Sequence, residues 1–206
     1  MPEESEPLFE QSYQRREKLF GAEPLLSVER NLDKFAPGTV IDLGSGDGRN
    51  ALYLAKQGFE VLAVDNAPTG IEHLQRYAEE AGVQDSVTGV VADIAEFVPE
   101  GEYDNMLSTF TLHFLTDADF ARVIAMMQQY TRSGGVNLVQ DFLKGDSPHD
   151  PADMQHWLDS GELSQLYEAA GWTVLDYGET QHEMIQTNAA GHRLARPAAV
   201  MIARKP

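Results

Sequence analysis

The chain of 206 residues is long enough for one domain with a full hydrophobic core, and its 33 acidic and 15 basic residues give a formal net charge of −18. A surface this negative repels phosphate backbones, which argues against a nucleic-acid substrate. The sequence contains no cysteine, and this excludes disulfides, thiolate zinc ligands and a cysteine nucleophile. No apolar run approaches the ~20 residues of a membrane span, and the acidic start MPEESEP lacks the regions of a signal peptide, so we expect a cytoplasmic protein.

The N-terminal part of the chain is predicted to be helical after a disordered start. Residues 1–9 are polar and proline-containing, which is typical of disorder. Residues 10–35 are predicted to form one or two helices, interrupted near Gly21 and Pro24.

Two aromatic residues of this part, Tyr13 and Phe20, are candidates to cover a ligand and exclude water. Amphipathic packing explains them equally well. We interpret residues 1–35 as an N-terminal helical lid segment and residues 36–206 as the ligand-binding domain.

Short apolar strands alternate with amphipathic helices through the larger domain. The strands are predicted at 39–43, 59–65, 86–93, 103–110, 136–142, 172–177, 181–187 and 198–205. The helices are predicted at 49–57, 69–81, 116–132 and 161–170. This alternation predicts a parallel sheet with right-handed crossovers. The last two strands have no helix between them, so they are predicted to pair as a hairpin with at least one antiparallel strand.

Local signals place the ends of these elements. Thr69 and Glu72 have the spacing of a capping box that opens the second helix. Glycines 134–135 are predicted to close the third helix, and composition predicts a loop at 144–153 and a turn at 188–191.

The stretch VIDLGSGDGRN, residues 40–50, puts three glycines between a strand and a helix. Gly44 and Gly46 permit a positive φ and close approach of the backbone to a ligand, and Gly48 lets the helix start near the strand. The beginning of that helix offers free N–H groups. A purely structural turn is the alternative, because many strand-to-helix turns contain two glycines.

Two acids at the ends of later strands favour a nucleoside ligand. Asp65 ends the second strand, where a carboxylate accepts hydrogen bonds from both ribose hydroxyls. Asp93 ends the third strand, where a carboxylate accepts a hydrogen bond from an adenine amino group. Both NAD and S-adenosylmethionine contain such a ribose.

The spacing of the glycines separates these two cofactors. The dinucleotide fingerprint G-x-G-x-x-G is absent, because Asn50 and Ala51 stand where a later glycine is needed. Asp42 and Asp47 add negative charge around the turn, which suits the ammonium and sulfonium groups of S-adenosylmethionine better than a pyrophosphate.

These motifs resemble those of class I S-adenosylmethionine-dependent methyltransferases: VIDLGSGDG, then VLAVDN, VVADI and YDNMLST in chain order. The resemblance implies an α/β fold with a Rossmann-like, doubly wound, mostly parallel seven-stranded sheet and an antiparallel C-terminal hairpin strand. It also implies that residues 36–206 are an S-adenosylmethionine-binding methyltransferase domain.

The sequence is most similar to the TehB-like tellurite-resistance methyltransferases, over roughly residues 25–205. The likeness rests on DLGSGDGRNALYLAKQGFEVLAVD, EYDNMLSTFTLHFL, GGVNL, TNAAGHRL and VMIARK. It implies methylation of a soft acceptor such as tellurite or selenite. The chain departs from the family at Ile185 and Gln186, where the family has a His-Arg pair, whereas Arg193 matches a family arginine.

The cofactor-binding residues that this reading implies lie on the glycine turn and at the ends of the next three strands. They are Asp42, Gly44, Ser45, Gly46, Arg49, Asn50, Asp65, Asn66, Asp93, Ile94, Ser108 and Thr109. The turn is expected to hold the methionine end, Asp65 the ribose, and Asp93 with Ile94 the adenine. Arg49 is equally explained by a surface ion pair.

The acceptor side has fewer candidates. His113 and Phe114 follow the fourth strand and face the site in this fold, although a lone histidine there is commonly structural. Tyr13 from the lid segment and Arg193 near the last turn complete the set. Arg193 would bind an oxyanion, or else lies on the surface.

No metal site is expected. His149 and His156 have no standard metal-ligand spacing, and His182 and His192 only flank the last turn.

We therefore expect a methyltransferase for a small molecule, acting as a monomer or homodimer without nucleic acid or membrane. A soft anionic acceptor needs no general base, so no catalytic residue is assigned, whereas an alcohol or amine needs one. The alternatives are a thiol, amine or carboxylate acceptor, and a non-catalytic S-adenosylmethionine-binding module. Arsenite is disfavoured because the chain has no cysteine.

Overall fold

The computed structural model describes residues 7–145, 153–187 and 193–206, without the side chains of 184–187 and 193, and these residues form one seven-stranded sheet. The strands run in the order β3-β2-β1-β4-β5-β7-β6. Their bounds are β1 Thr39–Leu43, β2 Glu60–Asp65, β3 Val87–Val91, β4 Tyr103–Thr109, β5 Thr131–Phe142, β6 Thr173–Thr187 and β7 Arg193–Arg204.

The sheet is parallel from β3 to β5, and β7 is antiparallel to both β5 and β6. The predicted fold class is therefore confirmed. The chain runs outward from β1 to β2 and β3, then returns to the other side of β1 with β4. The order of strands thus reverses between β1 and β4, and this is where ligands bind in open α/β sheets.

One long strand replaces two predicted ones. The strands expected at 172–177 and 181–187 are both part of β6, because the intervening residues 178–180 continue the ladder opposite residues 198–200 of β7. Strand β6 lies at the edge of the sheet, where residues with polar side chains still pair through their backbone. Its sequence therefore shows no continuous apolar run.

The helices cover both faces of the sheet. They are α1 Glu10–Arg15, α2 Leu26–Arg30, α3 Arg49–Lys56, α4 Pro68–Ala81, α5 Asp117–Tyr130 and α6 Glu162–Ala169. None of those helices, in the part of the chain that the structure describes, is long and apolar enough to cross a bilayer.

The N-terminal helices are much shorter than the expected helical region 10–35. Lys18 and Gly21 both have positive φ, 48° and 92°, which interrupts the helix between α1 and α2. The disorder predicted for residues 1–9 lies mostly outside the described residues, since only 7–9 are described.

Two predicted helix ends were wrong. The helix expected to reach residue 132 ends at Tyr130, and Gly134 and Gly135 belong to β5, where they exchange backbone hydrogen bonds with Lys205. The capping box at Thr69 does not form, because helix α4 already begins at Pro68. Most of the predicted loop at 144–153 and the turn at 188–191 lie outside the described residues.

A carboxylate from helix α1 takes the place of the capping box. Glu10 accepts hydrogen bonds from the backbone N–H of Thr69, at 3.1 Å, and from its hydroxyl. The contact binds α1 to the first turn of α4, where a carboxylate also interacts favourably with the helix dipole.

The apolar side chains of the central strands alternate between two cores. Val40 and Leu107 pack with α3 and α4, whereas Ile41 and Met106 pack with α5 and α6. All four are fully buried. This close packing on both faces fixes the carboxyl ends of β1, β2 and β4, which carry the candidate site.

Candidate active site at the glycine turn

The glycine turn after β1 has the backbone that its sequence predicts. Gly44, Gly46 and Gly48 have φ values of 72°, 57° and 89°, in the region that favours glycine. The N–H groups of Gly44 and Ser45 donate to the carbonyl of Val64, at 2.8 and 3.0 Å, and so attach the turn to β2.

Side chains pack so tightly on this turn that no Cβ fits. A Cβ on Gly44 would lie 2.2 Å from Thr111, and one on Gly46 would lie 2.4 Å from the hydroxyl of Tyr13. A Cβ on Gly48 would lie 2.0 Å from the side chain of Leu74. The glycines are therefore required for packing as well as for backbone conformation.

Asp65 ends β2 directly beside the turn. Its Oδ2 accepts from the N–H of Gly46 at 2.8 Å, and its Oδ1 accepts from the N–H of Ala67 at 2.9 Å. Burial raises the pKa of Asp65, while these backbone hydrogen bonds oppose the rise. A carboxylate has about four lone-pair sites, so Asp65 keeps acceptor capacity for ligand hydroxyls.

A cavity of about 700 Å³ opens over the turn. Most of the candidate cofactor residues lie on its wall: Gly44, Ser45, Gly46, Arg49, Asn50, Asp65, Asn66, Asp93, Ile94 and Thr109. The hydroxyl oxygen of Ser45 is buried and makes no hydrogen bond within the described residues. A polar ligand on the turn would give this oxygen a partner, so the residues present fit the methionine end of S-adenosylmethionine.

Asp42 and Ser108, also expected at the cofactor, lie behind the wall rather than on it. Ser108 is fully buried and donates to the carbonyl of Leu43 at 3.1 Å. Asp42 is 1% exposed, and within the described residues its carboxylate makes no hydrogen bond. Desolvation raises the pKa of Asp42 to about 7, although the Arg49 guanidinium opposes the rise.

Polar side chains of the turn and of α3 hold the chain between α1 and α2 in place. Asp47 accepts from the N–H of Leu19 at 3.1 Å, and Arg49 donates to the carbonyl of Phe20 at 3.0 Å. Burial lowers the pKa of Arg49.

Asn50 makes the third of these contacts. Its side-chain oxygen accepts from the N–H of Leu25 at 2.9 Å, and its amide donates to the hydroxyl of Thr109 at 3.1 Å. Asn50 therefore joins α2 to the end of β4 at the cavity wall.

The expected adenine residues form a separate edge of the cavity. Asp93 is exposed, and its Oδ1 accepts from the N–H of Ala95 at 2.9 Å. The neighbouring Ile94 is 7% exposed and contributes an apolar surface. A carboxylate beside an aliphatic side chain suits the edge and face of a purine.

Aromatic rings from residues 9–20 line another side of the cavity. Phe9 lies 5.5 Å from Phe114 and 5.6 Å from Phe20, measured between ring centroids. Tyr13 is 2% exposed, and burial raises its pKa far above its usual value. The assignment of residues 1–35 as a lid stays a prediction.

His113 lies on the cavity wall, as predicted, and has a partner that the sequence analysis missed. Its Nδ1 is 2.5 Å from Oδ1 of Asp141, near the end of β5. An acid at the end of an apolar run is the signal that identified Asp65 and Asp93, and the same signal in VNLVQDF would have identified Asp141.

Further aromatic side chains, which the sequence analysis did not assign to the site, lie on the same cavity wall as His113. The ring of His182 lies 4.2 Å from that of Phe110, which lies 4.7 Å from that of Phe142. Phe110 has a φ of 53°, a strained conformation of the kind that concentrates at functional sites. Burial and the nearby Arg49 lower the pKa of His182.

The remaining candidates lie elsewhere. His156 is stacked 3.8 Å from Phe120, with Nδ1 2.8 Å from Asp117, outside the cavity. His149 and His192 lie outside the described residues, as do the side chains of Ile185, Gln186 and Arg193. In the described residues, no group of three or more histidine, aspartate or glutamate side chains is arranged to hold a metal ion.

The sheet order and the glycine turn with its acids are those of the class I S-adenosylmethionine-dependent methyltransferase fold. The model of the family "Tellurite resistance protein TehB" matches residues 18–202, and the chain therefore belongs to the TehB family.

Known proteins are similar to this chain over most of its length. "Probable S-adenosyl-L-methionine-dependent methyltransferase TehB" of Haemophilus influenzae (strain 10810) is 31% identical over 170 residues, which are 82% of this chain and 58% of that protein. A crystal structure of TehB from Haemophilus influenzae superposes with a TM-score of 0.78 at 29% identity, covering 87% of this chain and 61% of that one. The "2-heptyl-1-hydroxyquinolin-4(1H)-one methyltransferase" of Mycobacteroides abscessus is 31% identical over 147 residues, 68% of this chain and 60% of that protein. The chain spans about three fifths of the length of these curated relatives.

Proposed function

We propose that this chain transfers the methyl group of S-adenosylmethionine to a small-molecule acceptor. The observation that carries the proposal is a cavity of about 700 Å³, whose wall includes both the glycine turn with Asp65 and the aromatic side chains near His113. Cofactor and acceptor would therefore lie in the same cavity, next to each other, as a direct transfer requires.

The cofactor would be held by groups already fixed in the structure. The free lone pairs of Asp65 would accept from the ribose hydroxyls, and Asp93 with Ile94 would contact the adenine. The turn residues Gly44 and Ser45 would contact the methionine end. When bound, S-adenosylmethionine supplies an electrophilic methyl group, and the residues of this chain orient the two reactants and exclude water.

A chalcogen oxyanion, tellurite or selenite, is the acceptor that the family description supports. Such a soft anion attacks the methyl group without first losing a proton. The resemblance to the family implies a His-Arg pair where this chain has Ile185 and Gln186, so its recognition of an oxyanion would differ from that of other members.

An acceptor with a removable proton, such as an alcohol, thiol or amine, is a second candidate. The contact between His113 and Asp141, 2.5 Å long and on the cavity wall, favours it because such an acceptor needs a general base. The similar protein from Mycobacteroides abscessus is named for a hydroxyquinolinone.

We further propose that the protein acts in the cytoplasm as a monomer or homodimer, and that neither nucleic acid nor membrane is its partner. The net charge of −18 supports the absence of nucleic acid, because the surface repels phosphates.

Calorimetry and a methylation assay test the proposal. S-adenosylmethionine and S-adenosylhomocysteine should bind and NAD should not. Radiolabelled S-adenosylmethionine should then label selenite, tellurite, a phenol, a thiol or an amine, with products identified by mass spectrometry. NAD binding in place of S-adenosylmethionine would contradict the cofactor, and binding without any product would favour a non-catalytic module.

A further inference from the structure

The imidazole of His113 is held by one carboxylate at two points. Oδ1 of Asp141 is 2.5 Å from Nδ1 of the ring, and Oδ2 accepts from the backbone N–H of the same histidine at 3.1 Å. Oδ1 also accepts from the N–H of Phe142 at 2.7 Å. His113 and Asp141 are 3% and 2% exposed, so this geometry is protected from water.

The cavity lies on only one side of this pair. His113 is part of the cavity wall, whereas Asp141 lies behind it. Because the carboxylate binds Nδ1, the other ring nitrogen, Nε2, is the one on the cavity side. A carboxylate at Nδ1 selects the tautomer protonated there, which leaves a lone pair on Nε2, and stabilises the imidazolium that forms when Nε2 takes a proton.

Flat apolar groups surround the histidine. The ring of His113 lies 4.0 Å from that of Phe114 and 5.0 Å from that of Phe142, between centroids. The ring of Phe110 in turn lies 4.7 Å from that of Phe142. Such a wall favours a planar aromatic acceptor, which stacks on these rings or meets them edge to face.

The charges on the cavity wall disfavour an acceptor that is already anionic. Among the described residues, the wall carries six carboxylates and one guanidinium. They are Asp47, Asp65, Asp93, Asp119, Asp153 and Glu183, with Arg49 as the cation. The guanidinium donates to the carbonyl of Phe20. A neutral acceptor meets less repulsion here than a dianion does.

We propose that His113 is the general base of the reaction and that the acceptor is a small aromatic compound with a weakly acidic hydroxyl group. The inference rests on the proposed function and names its acceptor. The O–H bond breaks and its proton passes to Nε2 of His113, while the oxygen forms a bond to the methyl carbon. The sulfur–carbon bond breaks, its electron pair stays on sulfur, and Asp141, a positioning residue, holds the imidazolium.

The first test compares two phenols that differ in acidity. The pKa of the para-cresol hydroxyl is about 10, like that of tyrosine, so at about pH 8 a base must remove its proton. The hydroxyl of para-nitrophenol is already largely ionised at that pH. His113→Ala should lower kcat/KM for para-cresol at least about 100-fold and that for para-nitrophenol less than about fivefold. The matched control His73→Ala removes a histidine of α4 that is not on the cavity wall and should change both less than about twofold.

The second test does not need turnover. Nitrogen-15 NMR of the ligand-free protein should show Nδ1 of His113 protonated and Nε2 unprotonated, and Asp141→Asn should change this pattern. This measurement also serves if His113→Ala does not fold, which a thermal melt and S-adenosylhomocysteine calorimetry would reveal.

The outcomes separate this inference from the proposed function. Methylation of phenols with the selective loss for para-cresol supports it. Equal losses for both phenols, a protonated Nε2 in the ligand-free protein, or methylation of selenite or tellurite but of no phenol would overturn it. In the last case the methyltransferase proposal itself stands, whereas a failure to bind S-adenosylmethionine would overturn both.

Discussion

Replacement of Asp42 by asparagine should raise the unfolding free energy relative to the wild type by an amount that grows as the pH rises. The carboxylate lies fully buried behind the glycine turn, 1% exposed, and within the described residues it has no hydrogen-bond partner. Asparagine keeps the shape of the side chain but cannot ionise. The pH dependence of the difference in unfolding free energy between the two proteins therefore reports the ionisation of this carboxylate.

The magnitude follows from the pKa. Burial raises the pKa of Asp42 from 3.8 to about 7, against the opposing effect of Arg49. Below about pH 4 the carboxyl group is protonated in both the folded and the unfolded chain and contributes no pH dependence. Between about pH 4 and 7 the unfolded chain loses the proton and the folded chain keeps it, so the wild-type unfolding free energy falls by up to about 4 kcal/mol.

Urea unfolding at a series of pH values measures this effect. The difference in unfolding free energy between Asp42→Asn and the wild type should rise by about 2–4 kcal/mol from about pH 4 to pH 8. A difference that stays flat within ~0.5 kcal/mol would refute the reasoning, since the group would then ionise as freely in the folded state as in the unfolded chain.

Asp104 provides a control of opposite sign. Burial raises its pKa, but hydrogen bonds from Thr39 and Arg132 outweigh burial and hold the pKa below the usual value. The stability from this group is present above the unfolded pKa and is lost as pH falls. Asp104→Asn should therefore destabilise the protein at neutral pH and lose that effect in acid.

Three further predictions concern the glycine turn and helix α1. Asp65→Ala should weaken S-adenosylhomocysteine binding at least about tenfold in calorimetry, because the ribose loses its acceptor, and an unchanged affinity would contradict the assignment. Gly46→Ala should lower the unfolding free energy by about 2–3 kcal/mol, and Gly58→Ala should lower it by about 1 kcal/mol. Both glycines have a positive φ, but only a Cβ at Gly46 meets the side chain of Tyr13. Equal losses for the two variants would argue against the packing described. Glu10→Gln should speed amide hydrogen exchange in α1 but not in β1, because it weakens the contact with Thr69, and unchanged exchange would show that this contact does not hold α1.

The fold was predictable because its signals are local. Short apolar runs separated by amphipathic helices identify a parallel sheet, and the missing helix before the last strand identifies its antiparallel end. The errors occurred where distant residues decide the structure. Glu10 binds the start of α4, so the capping box at Thr69 is not used, and β7 keeps residues 178–180 in a strand that has no apolar pattern of its own.

The cofactor side of the site was more predictable than the acceptor side. The glycine turn directly follows a strand that the apolar pattern predicts, and Asp65 ends the next one. The acceptor side of the cavity wall, in contrast, brings together residues that are far apart in the chain. His113 was identified only as a candidate, because its partner Asp141 follows 28 positions later and ends a different strand. Asp42 and Ser108 stand on central strands whose two faces are both covered by packed helices, and both side chains are buried.

A crystal structure with S-adenosylhomocysteine tests the central claim most directly. The account predicts that the ligand lies across residues 44–48, with both ribose hydroxyls within hydrogen-bonding distance of Asp65 and the adenine beside Asp93 and Ile94. A ligand bound elsewhere on the chain, or a ribose without contact to Asp65, would contradict it.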